Sequence, residues 1–237
     1  MIAQRPYESE AVRAVTGTTI RPGGLALTRR AAEACSLSPG DRVLDVGCGT
    51  GATANCLHSE YGAAVVGMDL SFVLLAEAAR QHSRMNLIRA NAMDLPFTAG
   101  GFDAVFAECV CSLLPDAIAA LDGFHRMLKP GGHLVVADLY WRIWDQTAIQ
   151  SKDSLGACLA GAVDRRTLIR RIENAGCDID LWEDHSEALK QLAAQLVWAG
   201  VSLTDWWGVD CESGACNSGQ RPGYCLIVAH KKGEPHG

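Results

Sequence analysis

Three acids and one glycine turn carry the chemistry legible in this chain. Val43 to Gly51 reads V-L-D-V-G-C-G-T-G: an apolar run closes on Asp45, and glycines follow at positions 47, 49 and 51. Glycines at alternating positions let the backbone turn sharply and let a ligand lie against it with no Cβ in the way. A helix that starts near Gly51 aims its free N–H groups at the same spot. Gly47, Gly49 and Ala52 also satisfy the dinucleotide pattern G-x-G-x-x-A. Asp45 separates the readings. A carboxylate at the strand tip, ionised near neutral pH, repels a pyrophosphate and attracts an ammonium or sulfonium group. Asp69 closes the next apolar run, A-V-V-G-M-D. An acid about 20 residues past the glycine turn is placed to accept from both ribose hydroxyls. Its competing use is as N-cap of the following helix, a role for which Ser71 is also placed. Glu108 closes a third run, F-D-A-V-F-A-E. The ligand these groups describe is a nucleoside with a cationic, phosphate-free tail.

Apolar strands alternating with helices must hold these tips side by side. Ala52 to Tyr61, Phe72 to His82 and Ala117 to Leu128 read as helices, and Ala64 to Asp69, Asn86 to Ala90 and Gly101 to Glu108 as strands. L-K-P-G-G-H-L-V-V-A-D, from Leu128 to Asp138, reads as a turn and a fifth strand. The expected class is an open α/β sheet with ligands beyond the strands' C-terminal ends. Asp45, Asp69, Asn91 and Glu108 all fall there.

The glycine stretch resembles motif I of the class I S-adenosylmethionine-dependent methyltransferases. N-A-M-D-L-P-F, from Asn91 to Phe97, is similar to that family's D-A-x-x-L-P-F stretch, and K-P-G-G at residues 129 to 132 is a frequent family turn. From about Asp41 to Leu139 the order and spacing match the family core. The resemblance implies a doubly wound, mostly parallel seven-stranded Rossmann-like sheet in three α/β/α layers, with an antiparallel last strand. Asp178 to Glu183 and Pro222 to Lys231 would form the closing hairpin, with an extra helix over Ser186 to Trp198. It implies S-adenosyl-L-methionine as cofactor. Asp45 would work near the methionine amino end, with Gly47, Cys48, Gly49 and Gly51 passing under the cofactor. Asp69 and Leu70 would meet the ribose and its surroundings. Asn91 stands where an acid is usual and would accept from the adenine amino group, with Ala92 and Met93 supplying backbone contacts. Arg21 could meet the cofactor carboxylate or be a solvated loop arginine. Glu108 could touch the cofactor or act on the acceptor.

The acceptor side is residues 1 to 24, 108 to 116 and 139 to 222. E-C-V-C-S-L-L-P-D, A-D-L-Y and L-G-A-C-L-A-G-A give a narrower resemblance to the arsenite methyltransferases, which hold trivalent arsenic by cysteine thiolates. Cys158 and Cys211 stand near two of those thiolates, with Cys109 as a further candidate. The N-terminal cysteine of those enzymes is replaced near Thr18. Soft thiolates suit a soft metalloid, whose lone pair attacks a sulfonium methyl without a base. An acceptor hydroxyl, amine or acidic carbon would want one, and Glu108, Asp138, Tyr140 and His185 are the candidates. None of the seven histidines forms a recognisable dyad. Trp198, Trp206 and Trp207 beside a Gly/Cys/Ser loop suit a lid or a dimer surface.

Composition bounds the rest. The chain has 237 residues, 49% apolar and 20% charged, which are globular values. The expected organisation is one methyltransferase domain over 1–237: a cover at 1–40, with a helix over Glu8 to Val15 and another over Leu25 to Cys35, a cofactor-binding core at 41–140, and an acceptor half at 141–232. A formal charge of −6 with no basic block speaks against nucleic acid or anionic membrane as partners. Arg5, Glu8 and Glu10 leave no apolar signal core, so a cytoplasmic monomer or homodimer acting on a small-molecule acceptor is expected. The ten cysteines show no C-x-x-C spacing, which gives no support to a zinc or redox pair, and several should pack as small core residues. Two rivals remain: a catalytically silent binder of the same cofactor, and a nicotinamide-dependent oxidoreductase, against which Asp45 speaks.

Overall fold

The computed structural model describes residues 14, 16, 17, 19–143, 157–203 and 221–233. Seven strands form one sheet in the order β3-β2-β1-β4-β5-β7-β6. They are β1 (Arg42–Val46), β2 (Ala64–Asp69), β3 (Asn86–Arg89), β4 (Phe102–Glu108), β5 (Leu128–Ile143), β6 (Cys177–Asp184) and β7 (Arg221–Lys231). β1 pairs in parallel with β2 and β4, β2 with β3, and β4 with β5. β7 runs antiparallel to both β5 and β6, as the motif order implied. The order reverses between β1 and β4. The helices leave those two tips in opposite directions, so a crevice opens beyond them.

Helices α1 (Gly24–Ala34), α2 (Ala52–Tyr61), α3 (Phe72–Gln81), α4 (Ala117–Met127), α5 (Ala157–Gly161), α6 (Arg165–Asn174) and α7 (Ser186–Trp198) flank the sheet. Their starts follow from capping chemistry. Ser71 accepts from the Leu74 N–H at 3.2 Å, Asp116 from Ile118 and Ala119, and Asp164 from Thr167 at 3.0 Å.

Period-two alternation divides the core between the two faces. Val105, Leu134, Val136 and Ile227 pack with Leu121 and Phe124 of α4 and Ile172 of α6. Phe106, Val135, Leu226 and Val228 pack with Leu27 of α1, Leu57 of α2 and Leu189 of α7. One expected turn is instead absorbed into a strand. The K-P-G-G stretch lies within β5, where the register slips between Phe102↔Leu128 and Ala104↔His133. Gly132 fits there because a Cβ would stand 3.0 Å from the Asp103 and Lys129 carbonyl oxygens. The expected helix at Glu8 to Val15 lies outside the described residues, apart from Ala14. No helix among the described residues is long and apolar enough to cross a membrane.

Candidate functional site

A cavity of about 580 Å³ opens beyond the tips of β1, β2 and β4. Asp45, Gly47 and Gly49 line it from the first turn, Asp69 and Leu70 from β2, and Asn91 to Met93 from the loop after β3. Glu108, Cys109 and Val110 line it from β4, and Leu113 to Pro115 from the 3-10 turn at Cys111–Leu113 and the residues after it. Thr19, Ile20 and Arg21 reach it from the segment before α1.

Asp45 is only 2% exposed, and its Oδ2 has no hydrogen-bond partner. Burial pushes its carboxyl well above the usual carboxylate range, and the negative charges of Glu108 and Asp69 add to this. Arg21 and the Ala54 backbone N–H pull the other way without prevailing. The strand-tip position alone suggests an ionised carboxylate, and this burial opposes that charged form. The sequence shows the strand tip but not how completely α2 and the Arg21 segment remove it from water.

The glycine turn brings backbone to the cavity at two positions. Gly47 has φ 69°, and a Cβ there would stand 2.5 Å from Val110 Cγ2. Gly49 has φ 54°, and its N–H donates to Asp69 Oδ2 at 2.9 Å. Gly51 does not line the cavity. It is the N-cap of α2 at φ 82°, and its Cα faces Met85 and Ala78, so its role is backbone shape rather than cofactor contact. Asp69 Oδ1 accepts from the Ser71 N–H at 2.8 Å. Ser71, not Asp69, caps α3. Each Asp69 oxygen keeps a second lone pair for a hydroxyl donor. Cys48 lines the cavity with a thiol that burial holds protonated. Asn91 Oδ1 accepts from the Met93 N–H at 3.0 Å, an Asx turn that shapes the rim and leaves one lone pair on that oxygen.

Arg21 is not a solvated arginine. Its Nη2 lies 2.9 Å from Glu108 Oε2, with side chains 6% and 4% exposed. Nη1 donates to the Gly24 carbonyl at 2.7 Å, and Nη2 also reaches the hydroxyls of Thr28 and Thr53. Thr53 donates to Glu108 Oε2 at 2.5 Å. Burial is the largest influence and works against the Arg21 charge, but Glu108, with Tyr224, Cys109 and Asp45 adding to it, holds the guanidinium above its ordinary value. Thr28 and Thr53 were not legible in sequence: a helix hydroxyl has no spacing signature.

Three base candidates are corrected on position. Tyr140 does not line the cavity. It is 5% exposed, packs edge-on to Trp182 with ring centroids 5.3 Å apart, and lies over Gly223 of β7. Side chains alternate along β5, and position 140 falls on the α4/α6 face. Asp138 is 1% exposed and accepts from Ser112 N at 2.9 Å, Ser112 Oγ at 2.6 Å and Leu139 N at 2.7 Å. It fastens the 3-10 turn that carries Leu113. His185 pairs with Glu183 at 2.9 Å, outside the cavity lining.

Cys109 lines the cavity at φ 56°, a left-handed conformation uncommon outside glycine. Its Sγ lies 3.2 Å from the Tyr224 hydroxyl, whose single hydrogen goes to the Ala137 carbonyl at 3.1 Å. This leaves the thiol as donor. Cys158 belongs to α5, but its side chain lies outside the described residues, as do Cys211, Trp206 and Trp207. No group of three or more His, Cys, Asp or Glu able to hold a metal occurs among the described residues. Cys35, Cys56, Cys111, Cys177 and Cys225 are free and buried, and burial pushes Cys177 up to about 11.

Residues 44–136 match the methyltransferase domain family. The demethylmenaquinone methyltransferase of Mycolicibacterium gilvum is 32% identical over 202 residues, covering 76% of this chain and 87% of that protein. The chain belongs to the class I S-adenosylmethionine-dependent methyltransferases. Other relatives match over less: the O-methyltransferase rstn1 of Aspergillus nomiae is 36% identical over 48% of this methyltransferase and 53% of its own length. The methyltransferase spans about half the length of several such curated relatives. The crystal structure of the [4+2]-cyclase SpnF superposes with a TM-score of 0.77 at 25% identity, over 96% of this chain and 93% of that one.

The cofactor is S-adenosylmethionine, and the cavity fits it on three counts. An orphaned buried carboxyl oxygen suits an ammonium, a paired acid at the β2 tip suits a ribose, and a glycine lets the chain pass close. When bound, the sulfonium supplies an electrophilic methyl group. The methyltransferase itself supplies orientation, a fixed charge pattern and a wall that keeps water out.

Proposed function

We propose that this methyltransferase holds its cofactor's amino-acid end between Asp45 and the Arg21 segment, its ribose on Asp69, and its adenine against Leu70, Asn91, Ala92 and Met93. The observation that carries the reading is the unmatched Oδ2 of Asp45 in a cavity shared with Asp69. The acceptor side is then Ile20, Cys109, Val110, Leu113, Leu114 and Pro115, a wall that is apolar except for one thiol. Such a wall suits a small, largely apolar acceptor.

The acceptor brings its own nucleophile. Glu108, the carboxylate on that side of the cavity, is tied to Arg21 and Thr53. It is a positioning residue rather than a general base. An acceptor that ionises readily, such as a phenol, quinol or thiol, reacts without one. Relatives named for O-methyl transfer and for demethylmenaquinone support an aromatic acceptor. A metalloid acceptor has no such support among the described residues, where Cys109 is bonded to Tyr224.

The test is methyl transfer from radiolabelled S-adenosylmethionine to a panel of phenols, quinols, aliphatic alcohols, amines and arsenite. Label should pass to phenols or quinols and not to aliphatic alcohols. Transfer only to amines or arsenite would defeat the acceptor reading.

A further inference from the structure

Asp45 presents a puzzle that cofactor binding alone does not resolve. Its Oδ2 is buried and unpartnered, and every acid nearby opposes its ionisation. Among the described residues, the charged groups that face it are Glu108 from β4, Asp69 from the β2 tip and Arg21 from the segment before α1, together with the Cys48 thiol of its own turn. Arg21 is the one cation among them, and Glu108 holds it at 2.9 Å. From the α2 backbone, the Ala54 N–H donates to Asp45.

We propose that Asp45 is a specificity-determining residue that works by exchange: a proton occupies its carboxyl in the free cleft, and the cofactor's ammonium replaces that proton on binding. This rests on the site reading above and goes beyond it. The exchange balances. One carboxylic acid loses one proton to solvent, and one ammonium arrives in its place, so the buried charge of the slot stays constant. Water cannot substitute, because it brings no positive charge to offset two neighbouring carboxylates. Nor can a nucleoside that lacks the amino-acid end. The slot thus discriminates a complete cofactor from its truncated breakdown product by charge.

The experiment is calorimetric titration of the full chain in buffers of different ionisation enthalpy, from about pH 5.5 to 7.5, below the range where the ligand's own amine titrates. S-adenosylhomocysteine is the probe, and 5′-methylthioadenosine, which has the same nucleoside and no ammonium, is the control. S-adenosylhomocysteine should release close to one proton per molecule bound, and its Kd should fall by up to about tenfold per pH unit. 5′-Methylthioadenosine should release none. Asp45→Asn should abolish the proton release and flatten the pH dependence. Asp69→Asn should weaken both ligands and leave the proton count unchanged. Normal S-adenosylhomocysteine binding without proton release, or equal release with 5′-methylthioadenosine, overturns the exchange and leaves the site reading standing. No binding by S-adenosylhomocysteine, or none of the weakening by Asp69→Asn, overturns the site reading and the exchange with it.

Discussion

Arg21 lies ahead of the first strand and Glu108 at the tip of the fourth, yet their charged groups meet at 2.9 Å inside the cofactor crevice. This pair fastens the segment before α1 across the cavity. Thr28 of α1 and Thr53 of α2 complete the contact, so four parts of the chain meet at one buried charge pair.

Removing one member of that pair leaves the other buried and unmatched. Arg21→Met or Glu108→Gln should each cost about 3–5 kcal/mol in chemical denaturation. The double variant Arg21→Met with Glu108→Gln should cost less than either. A double-mutant cycle with no coupling would show that the pair does not fasten the cover.

The Asp45 carboxyl makes stability depend on pH in a defined direction. A group protonated in the folded chain and ionised in the unfolded one gives the folded state the extra proton. Stability is then lost as pH rises from the ordinary aspartate range through the raised value of Asp45. Asp103, Asp164, Glu183 and Asp184 are lowered by their hydrogen bonds despite partial burial and act oppositely. The clean readout is therefore a difference. The Tm of Asp45→Asn minus that of the parent should grow between about pH 4 and pH 7, each 1 kcal/mol appearing as about 2–4 °C. A difference that is constant with pH would contradict the burial argument.

Gly47→Ala tests the close approach of the first turn. The new methyl would meet Val110 Cγ2 at 2.5 Å, at a φ of 69° that alanine disfavours. The expected cost is about 1–3 kcal/mol, with weakened S-adenosylhomocysteine binding in titration.

Gly161→Ala tests the acceptor wall from behind. A Cβ on Gly161 would stand 1.9 Å from the Ser112 carbonyl oxygen, in the turn that Asp138 fastens. Denaturation should show a loss of about 1–3 kcal/mol, and S-adenosylhomocysteine affinity should change less than in Gly47→Ala.

The sheet was legible because β1, β2 and β4 are short apolar runs that end at an acid or a glycine turn. Expected and observed bounds agree for Ala52–Tyr61, Ala64–Asp69 and Ser186–Trp198. Strand tips are visible in sequence, which is why Asp45, Asp69, Asn91 and Glu108 were found together at one cavity. What stayed hidden depends on the facing of side chains and on long-range pairing. Tyr140 and Asp138 sit on alternate β5 positions, and neither meets the crevice: one packs on Trp182, the other bonds to Ser112. The Arg21–Glu108 pair joins residues far apart in sequence, and no local pattern announces it. The raised carboxyl of Asp45 stayed hidden for the same reason, because burial is a property of the assembled layers.

The most direct measurement is a crystal structure with S-adenosylhomocysteine bound. The account requires the ribose hydroxyls on Asp69, the ammonium on Asp45 Oδ2 and the sulfur turned toward Cys109, Val110 and Leu113. A ligand lying in the reverse direction, or one that leaves Asp45 Oδ2 without a partner, would contradict it.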